Sequence, residues 1–536
     1  MRISNRVFSE DEAWNSYGQW IVSNNGYIHE SLTFHTIPSS GRSIITTAPI
    51  PRGTQLVSCS HTLFLSYARA RSLLPSTFTS TVNKHTSLCF ALCQQWILGE
   101  ASFWYPYLRI LPREFNTPLY FSDADLKFLV GCNLSPSAVE ERRAIWKGEW
   151  KEGLEALKSA GEESVAEYTW ELYLWAATIF SSRSFPGNFV DKAHDSPVLF
   201  PILDALNHQP CKRITWQIGT EEVAFLSVDA IAAGVEVYNN YGPKGNEELL
   251  MGYGFCIPEN PAETVALRFN TPPLAPEQAE IYKSLKHPDK EDYYYLTLKA
   301  GYPLELISLF RLLTAAPSEM RLLENTPYKS VSVRNELATQ FQLVMAISKK
   351  LQGFETVALE EPVNQRQQAA LTLRSGQQEI LRSALSHSRE TISSLFTEHE
   401  GKEIFSIETV LQNSVFAEAV EACFETSDVE EIIEAEQEDI VFVLWLCWKY
   451  ITKDEKWSGW FDRMKGVYPM QEEMTVEEVF EAIFPEAAEA APEVFGGEEW
   501  TAALMGWVMA VYQQEGVNVE PEEGKLVWVI SNECPQ

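Results

Sequence analysis

The sequence has no apolar run long enough to cross a bilayer as a helix. Its longest, Val441–Trp448 and Ala502–Tyr512, stop well short of the ~20 residues that a span needs. A disulfide framework is missing too. The nine cysteines (Cys59, Cys89, Cys93, Cys132, Cys211, Cys256, Cys423, Cys447 and Cys534) are scattered and odd in number, which in a long chain points to reduced core thiols. Cys89 and Cys93 lie four apart with no second pair to complete a zinc site, so no metal is expected. Positive charge is scarce: 42 Lys and Arg stand against 74 Asp and Glu, giving a net charge of -32. A chain this negative repels phosphate backbones, which argues against nucleic acid as a direct partner. The opening MRISNRVFSEDEAW has neither the apolar stretch of a signal peptide nor the acid-poor character of a mitochondrial presequence. These absences imply a protein of the cytoplasm, with the nucleus open as a second compartment and no membrane partner.

What is present is ample material for a core. Over 536 residues, 45% are hydrophobic and 12% aromatic, enough for two to four domains. The negative charge is uneven: residues 401–536 hold 30 acidic and 7 basic side chains, so -23 of the total sits there. Such a surface draws in a basic polypeptide and raises its encounter rate.

Periodicity divides the chain. Residues 1–70 read as a short helix followed by strands, with turn signals at Pro38-Ser39-Ser40-Gly41 and Pro51-Arg52-Gly53 bracketing a strand over 43–50. From about 84 to 185 the apolar spacing is helical: Leu88, Ala91, Leu92, Gln95 and Trp96, then Trp170 through Ile179. Short strands return over 198–255, where 214–218 and 223–228 flank the turn Gly219-Thr220. Beyond about 260 nearly everything reads as helix, most clearly 364–385 and 500–512, with an acidic run over 425–440. Composition and period alone give an α+β chain of at least two domains.

Two short segments are chemically unusual. Asp204-Ala205-Leu206-Asn207-His208 follows an apolar, strand-like 198–203, and Tyr238–Phe255 reads YNNYGPKGNEELLMGYGF. Amides, a tyrosine and several glycines among apolar strands suggest a turn whose backbone approaches a ligand. Each segment alone is equally compatible with a satisfied core histidine or hairpin punctuation. Together they resemble the end of a SET domain, in the branch typified by the Rubisco large-subunit methyltransferase. The matching order is Asp204/Asn207/His208, Tyr241-Gly242, Asn246/Glu248/Leu249 and Tyr253-Gly254-Phe255. Upstream, WIVSNNGYIHESL over 20–32, Gly41-Arg42-Ser43 with Pro51-Arg52-Gly53, FWYPYLRILPREFNTPLYFSDADLKFL within 102–134, and Ser182-Arg183-Ser184-Phe185 extend the resemblance. Residues 260–400 resemble the helical substrate-binding domain of that branch. About three quarters of the chain is covered, in order.

The resemblance implies a β-rich SET core from residues 1–75 and 190–258, split by a helical insert over 76–189. A helical substrate-binding domain over 259–420 and an acidic, mostly helical extension over 421–536 would follow. It implies an S-adenosylmethionine-dependent protein-lysine N-methyltransferase acting on a non-histone protein, with a basic substrate such as a ribosomal protein or translation factor suiting the acidic C-terminal region. A histidine acceptor, or a catalytically silent scaffold, are the alternatives. Tyr241 corresponds to the tyrosine at the methyl-transfer point. Gly41, Arg42, Ser43, Arg183, Asn207, His208, Tyr241 and Phe255 would hold the cofactor, while Ser182, Asp204 and Tyr253 would line the acceptor side. The chemistry needs such a site: a free lysine, with a pKa of about 10.4, must lose its proton before an in-line displacement, and an apolar channel disfavours its charge.

Overall fold

A computed structural model describes residues 6–37, 41–189, 196–285, 293–470, 476–522 and 524–533. The chain divides into two compact units, Met1–Glu263 with Thr356–Gly376, and Thr264–Glu355 with Gln377–Gln536. The fold is α+β throughout.

The first unit begins with the helix Glu12–Ser23, whose first turn is closed by the Asp11 carboxylate accepting from the Trp14 N–H. Its apolar face buries Trp14, Tyr17 and Ile21. A four-stranded antiparallel sheet follows, in the order Tyr27–Ile28, Gln55–Ser60, Glu222–Ser227, Ile214–Ile218. The expected hairpin around Gly219 is present, whereas the turn signal Pro38-Ser39-Ser40 lies outside the described residues. The strand expected over 43–50 runs instead over Gly41–Thr46, pairing with Leu32–Ile37, and Ile50 makes only an isolated bridge to Ile231.

Between the two halves of this sheet lie the insert helices, among them Lys84–Ile97, Tyr105–Ile110, Pro136–Ser159 and Trp170–Arg183. Each long one starts on a side-chain cap: Asn83, Ser135 with Pro136 behind it, and Thr169. Residues 356–376, which the sequence places in the following helical domain, pack with this unit. Arg366 donates to the carbonyls of Tyr120 and Phe115, and Asn364 and Gln367 both donate to Asp125 Oδ1.

The apolar 198–203 forms a strand only at Val198–Leu199. The chain then turns sharply: Ile202 sits at φ 78°, a left-handed conformation costly for a β-branched residue, and its N–H donates to the buried Tyr17 hydroxyl. A single helical turn at Leu203–Ala205 follows. Residues 235–239 pass between two neighbours. On one side Thr46 N–H donates to Val235 O at 3.0 Å, and Val237 N–H to Ile44 O at 2.8 Å. On the other, Asn239 N–H donates to Asn207 O at 2.8 Å, and Gln209 N–H to Asn239 O at 3.0 Å, in parallel register.

The second unit is mainly helical, but not uniformly so. Val265–Arg268 pairs with Tyr293–Leu296, and Ile404–Ser406 joins Lys525–Ser531, which pairs in turn with Val517–Glu522. These short strands are the exceptions to a stretch that reads as nearly all helix beyond 260; averaging over long windows hides them. No break in packing falls at 420/421. One core runs from Phe405 to Ile530 and includes Trp445, Trp457, Trp460 and Trp507. Both apolar runs noted in the sequence are core helices here: Glu438–Ile451 buries every residue from Val441 to Cys447. No helix among the described residues is long and apolar enough to cross a membrane. A buried polar network ties the earlier helices to the acidic region. Arg334 donates to Glu319 Oε2 at 2.8 Å and to the Glu515 carbonyl at 2.7 Å, while Ser318 and Tyr468 donate to the Glu515 carboxylate. The described cysteines are thiols, and Cys59, Cys89, Cys93, Cys132 and Cys447 are buried.

A chain ending at residue 420 would lose the partner strand of Ile404–Ser406 and expose Phe405, Ile407 and Phe416. Such a truncation is expected to lose the cooperative thermal transition of the second unit and to bind a hydrophobic dye, as differential scanning calorimetry and fluorescence would report.

Candidate active site

The crossing of 207–209 with 235–239 brings most of the singled-out residues together. Asn207 Nδ2 donates to the Arg42 carbonyl and Ser43 Oγ, each at 3.2 Å, and to Glu236 Oε1 at 2.8 Å. One amide therefore links the Gly41-Arg42-Ser43 segment to the threaded strand. Gly41 lies at φ 73°, which favours glycine. Ser43 is not among the residues with positive φ, and its buried hydroxyl is one of the acceptors that Asn207 uses. The Arg42 side chain donates to the Ile110 carbonyl with its guanidinium 5.4 Å from the Trp14 ring centroid, and it lies close enough to Arg183 for the two charges to repel.

His208 positions Tyr241. Its Nδ1 accepts the Tyr241 N–H at 3.0 Å, which puts the ring proton on Nε2. Burial, with Lys244 close by, pulls its pKa below the usual value, so the ring is neutral at pH 7. Tyr241 lies between two rings, 5.0 Å from His208 and 4.8 Å from Tyr253, nearly parallel to both. Its hydroxyl donates to the Leu206 carbonyl at 3.0 Å. Burial drives that phenol well above its ordinary pKa despite the nearby Arg183, so it remains protonated and is no general base. Burial, with Glu248, pushes Tyr253 up to about 12. Gly254 explains how Tyr253 and Phe255 flank this stack. It ends the helix Asn246–Tyr253 at φ 82°, and a Cβ there would meet the Asn116 backbone at 2.9 Å. Phe255 then sits 6.5 Å from His208 and 6.3 Å from Tyr253, centroid to centroid. Asn246, buried, exchanges two bonds with the Ile257 backbone and serves this turn rather than a ligand.

Arg183 ends the helix Trp170–Arg183 and donates to the Asp204 carbonyl at 2.9 Å, with Asp204 Oδ2 3.5 Å away. The Asp204 side chain is wholly buried. Burial raises its pKa, opposed by Arg183 and by the hydroxyl of Tyr107. Burial lowers that of Arg183, but Asp204, Tyr107, Tyr241 and Tyr17 reverse the sign, leaving it raised. The Ser182 hydroxyl bonds back to the Thr178 carbonyl of its own helix at 2.7 Å, so it is not turned toward the tyrosines by that contact. Sequence reading misses Glu236, Tyr17 and Tyr107. The first lies in a strand-like run, and the other two are indistinguishable by period from core aromatics.

Chemically, this arrangement offers a carboxylate, a guanidinium, left-handed backbone at Gly41 and a stack of aromatic faces. Aromatic faces attract cations, and the partly exposed Arg183 guanidinium suits a ligand carboxylate. Among the described residues no group of three or more His, Cys, Asp or Glu is placed to hold a metal ion.

Residues 270–381 match the Rubisco LSMT substrate-binding family model. The chain is 30% identical, over 86% of its length and 89% of the relative's, to a ribosomal lysine N-methyltransferase of Schizosaccharomyces pombe. It is 27% identical, over 66% of its length and 72% of the relative's, to ribosomal lysine N-methyltransferase 1 of Saccharomyces cerevisiae. In structure it resembles the SET domain of LSMT crystallised with MeLysine and AdoHcy, at 20% identity and a TM-score of 0.60, covering 72% of this chain and 94% of that one. The chain belongs to the SET-domain protein-lysine methyltransferases of the Rubisco large-subunit methyltransferase-like branch.

Replacing Arg183 by alanine would leave the Asp204 carboxylate buried without its counter-charge. The expected cost is about 3 kcal/mol at neutral pH. Because the folded pKa of Asp204 is already raised, and rises further in the variant, the stability deficit should grow as pH climbs through and above the carboxylate range. Chemical denaturation of wild type and variant across pH checks both sign and size.

Proposed function

We propose that this chain transfers a methyl group from S-adenosylmethionine to the ε-nitrogen of a lysine in a ribosomal protein, in the cytoplasm. The observation that carries the reading is the identity to the Schizosaccharomyces pombe relative, which spans 86% of the chain. The excess of acid over 401–536 adds to it, because a basic substrate is steered toward such a surface.

The residues present fit the cofactor. Gly41, Arg42 and Ser43 offer backbone groups, Asn207 and Arg183 polar side chains, and His208, Tyr241 and Phe255 aromatic faces. Bound there, S-adenosylmethionine supplies an electrophilic methyl group on a sulfonium. The protein's own work is placement. His208 fixes the Tyr241 backbone, and the Leu206 carbonyl fixes the Tyr241 hydroxyl. A phenol held protonated orients an acceptor amine without becoming charged itself. Tyr253 walls the acceptor side in this reading, with Ser182 and Asp204 assigned to the same side and Asp204 holding Arg183. Ring faces there disfavour an ammonium and so favour loss of the lysine proton.

In Tyr241→Phe, transfer of labelled methyl into a ribosomal fraction should fall by about 100-fold, with cofactor affinity by calorimetry within a few-fold of wild type. Mass spectrometry should place the label on lysine, and the rate should fall as salt is added. Label on histidine, or only on proteins outside the ribosome, would overturn the assigned acceptor.

A further inference from the structure

We propose that Tyr107, contributed by the insert, is a positioning residue for the Arg183 guanidinium, acting through the buried carboxylate of Asp204. The inference rests on the reading of this site as one for S-adenosylmethionine.

Tyr107 is fully buried, and its hydroxyl donates to Asp204 Oδ2 at 2.6 Å. The same oxygen stands 3.5 Å from Arg183 Nη1. One carboxylate oxygen thus receives both the phenol and the guanidinium, while Oδ1 is buried with no hydrogen-bond partner. A carboxylate served on one side only depends heavily on each contact it has. The titratable groups facing it come from every surrounding element: Arg183 from its helix, Tyr107 from the insert helix, Tyr17 from the first helix, Cys59 from the strand Gln55–Ser60, and Tyr241. Arg183 alone among these is positively charged. Tyr17, Cys59, Tyr107 and Tyr241 are all held protonated by burial, and of these four Tyr107 alone has a hydrogen bond to the carboxylate.

Removing the Tyr107 hydroxyl withdraws a bond made to the charged form, so the pKa of Asp204, already raised by burial, climbs further. Once protonated, Asp204 no longer supplies the charge that fixes Arg183. The Arg183 side chain is 25% exposed, and that exposed part is the part a ligand can reach. Tyr107 therefore acts on Arg183 from outside the site, through Asp204.

The test is calorimetric binding of S-adenosylmethionine to the full chain across pH, comparing wild type with Tyr107→Phe, which keeps the ring. The variant should bind about tenfold more weakly near neutrality, and its affinity should begin to fall at a higher pH than wild type as acid is added. At saturating cofactor, kcat should stay within about twofold. Asp204→Asn should remove this acid dependence, and adding Tyr107→Phe to it should change nothing more. A wild type that binds while Tyr107→Phe matches it at every pH would overturn the inference alone. So would a variant with a lowered Tm but an unmoved pH profile. A wild type that binds no S-adenosylmethionine would overturn the reading of the site, and this inference with it.

Discussion

The site depends on one crossing. Residues 235–239 run between the edge at Ile44–Thr46 and the segment Asn207–Gln209, bonded to both. Neither side alone would fix the geometry. The outer bonds set the height of Asn239, and the inner parallel bridge sets its register against His208. From that register follow the His208–Tyr241 bond, the ring stack and the Asn207 bridge to Glu236. A slip of one residue would send Asn207 and Tyr241 to opposite faces.

Around the crossing the protein accepts local costs. Ile202 is held left-handed, which at a β-branched residue is unfavourable by about 1–3 kcal/mol. Its N–H is satisfied by Tyr17, a fully buried phenol packed against Trp14, Phe34 and Tyr107. The strain turns the chain abruptly from Val198–Leu199 into the turn that aims Asp204 inward. Asp204 then brings a charge into an apolar setting, where it is tolerable only because Arg183 and Tyr107 meet it. Strain and buried charge here are adjacent, and both serve to place Arg183.

Much of this was legible in the sequence, and unevenly so. The collinear motifs identify the family, and the residues they mark do converge: Gly41, Ser43, Asn207, His208, Tyr241, Tyr253 and Phe255 lie within a few contacts of one another. Motifs do not say which atom of a residue matters. Arg42 donates to the Ile110 carbonyl and Ser182 to a carbonyl of its own helix, contacts that no motif announces. Asn246 pins a turn. Tyr107 and Tyr17 were hidden because a buried aromatic with a polar tip has the same period as one without. Residues 401–536 were hidden by their charge. Acidic side chains cover their exposed faces, while tryptophans spaced along Glu438–Ile451, Glu455–Val467 and Ala502–Glu515 build a core that average composition cannot reveal.

The sheet pairs Gln55–Ser60 with Glu222–Ser227, elements separated by more than the whole helical insert. During synthesis the early strands must therefore wait, edges open, until the ribosome has delivered the residues between Ser60 and Ser227. The insert helices, rich in local contacts, can form in the meantime and shorten the loop that remains to be closed. Threading 235–239 comes later still, since both of its neighbours must already be near. The crossing is thus among the later parts of the first unit to form, and a chain interrupted before Val235 would leave the Ile44–Thr46 edge and the Asn207–Gln209 segment without the strand that joins them.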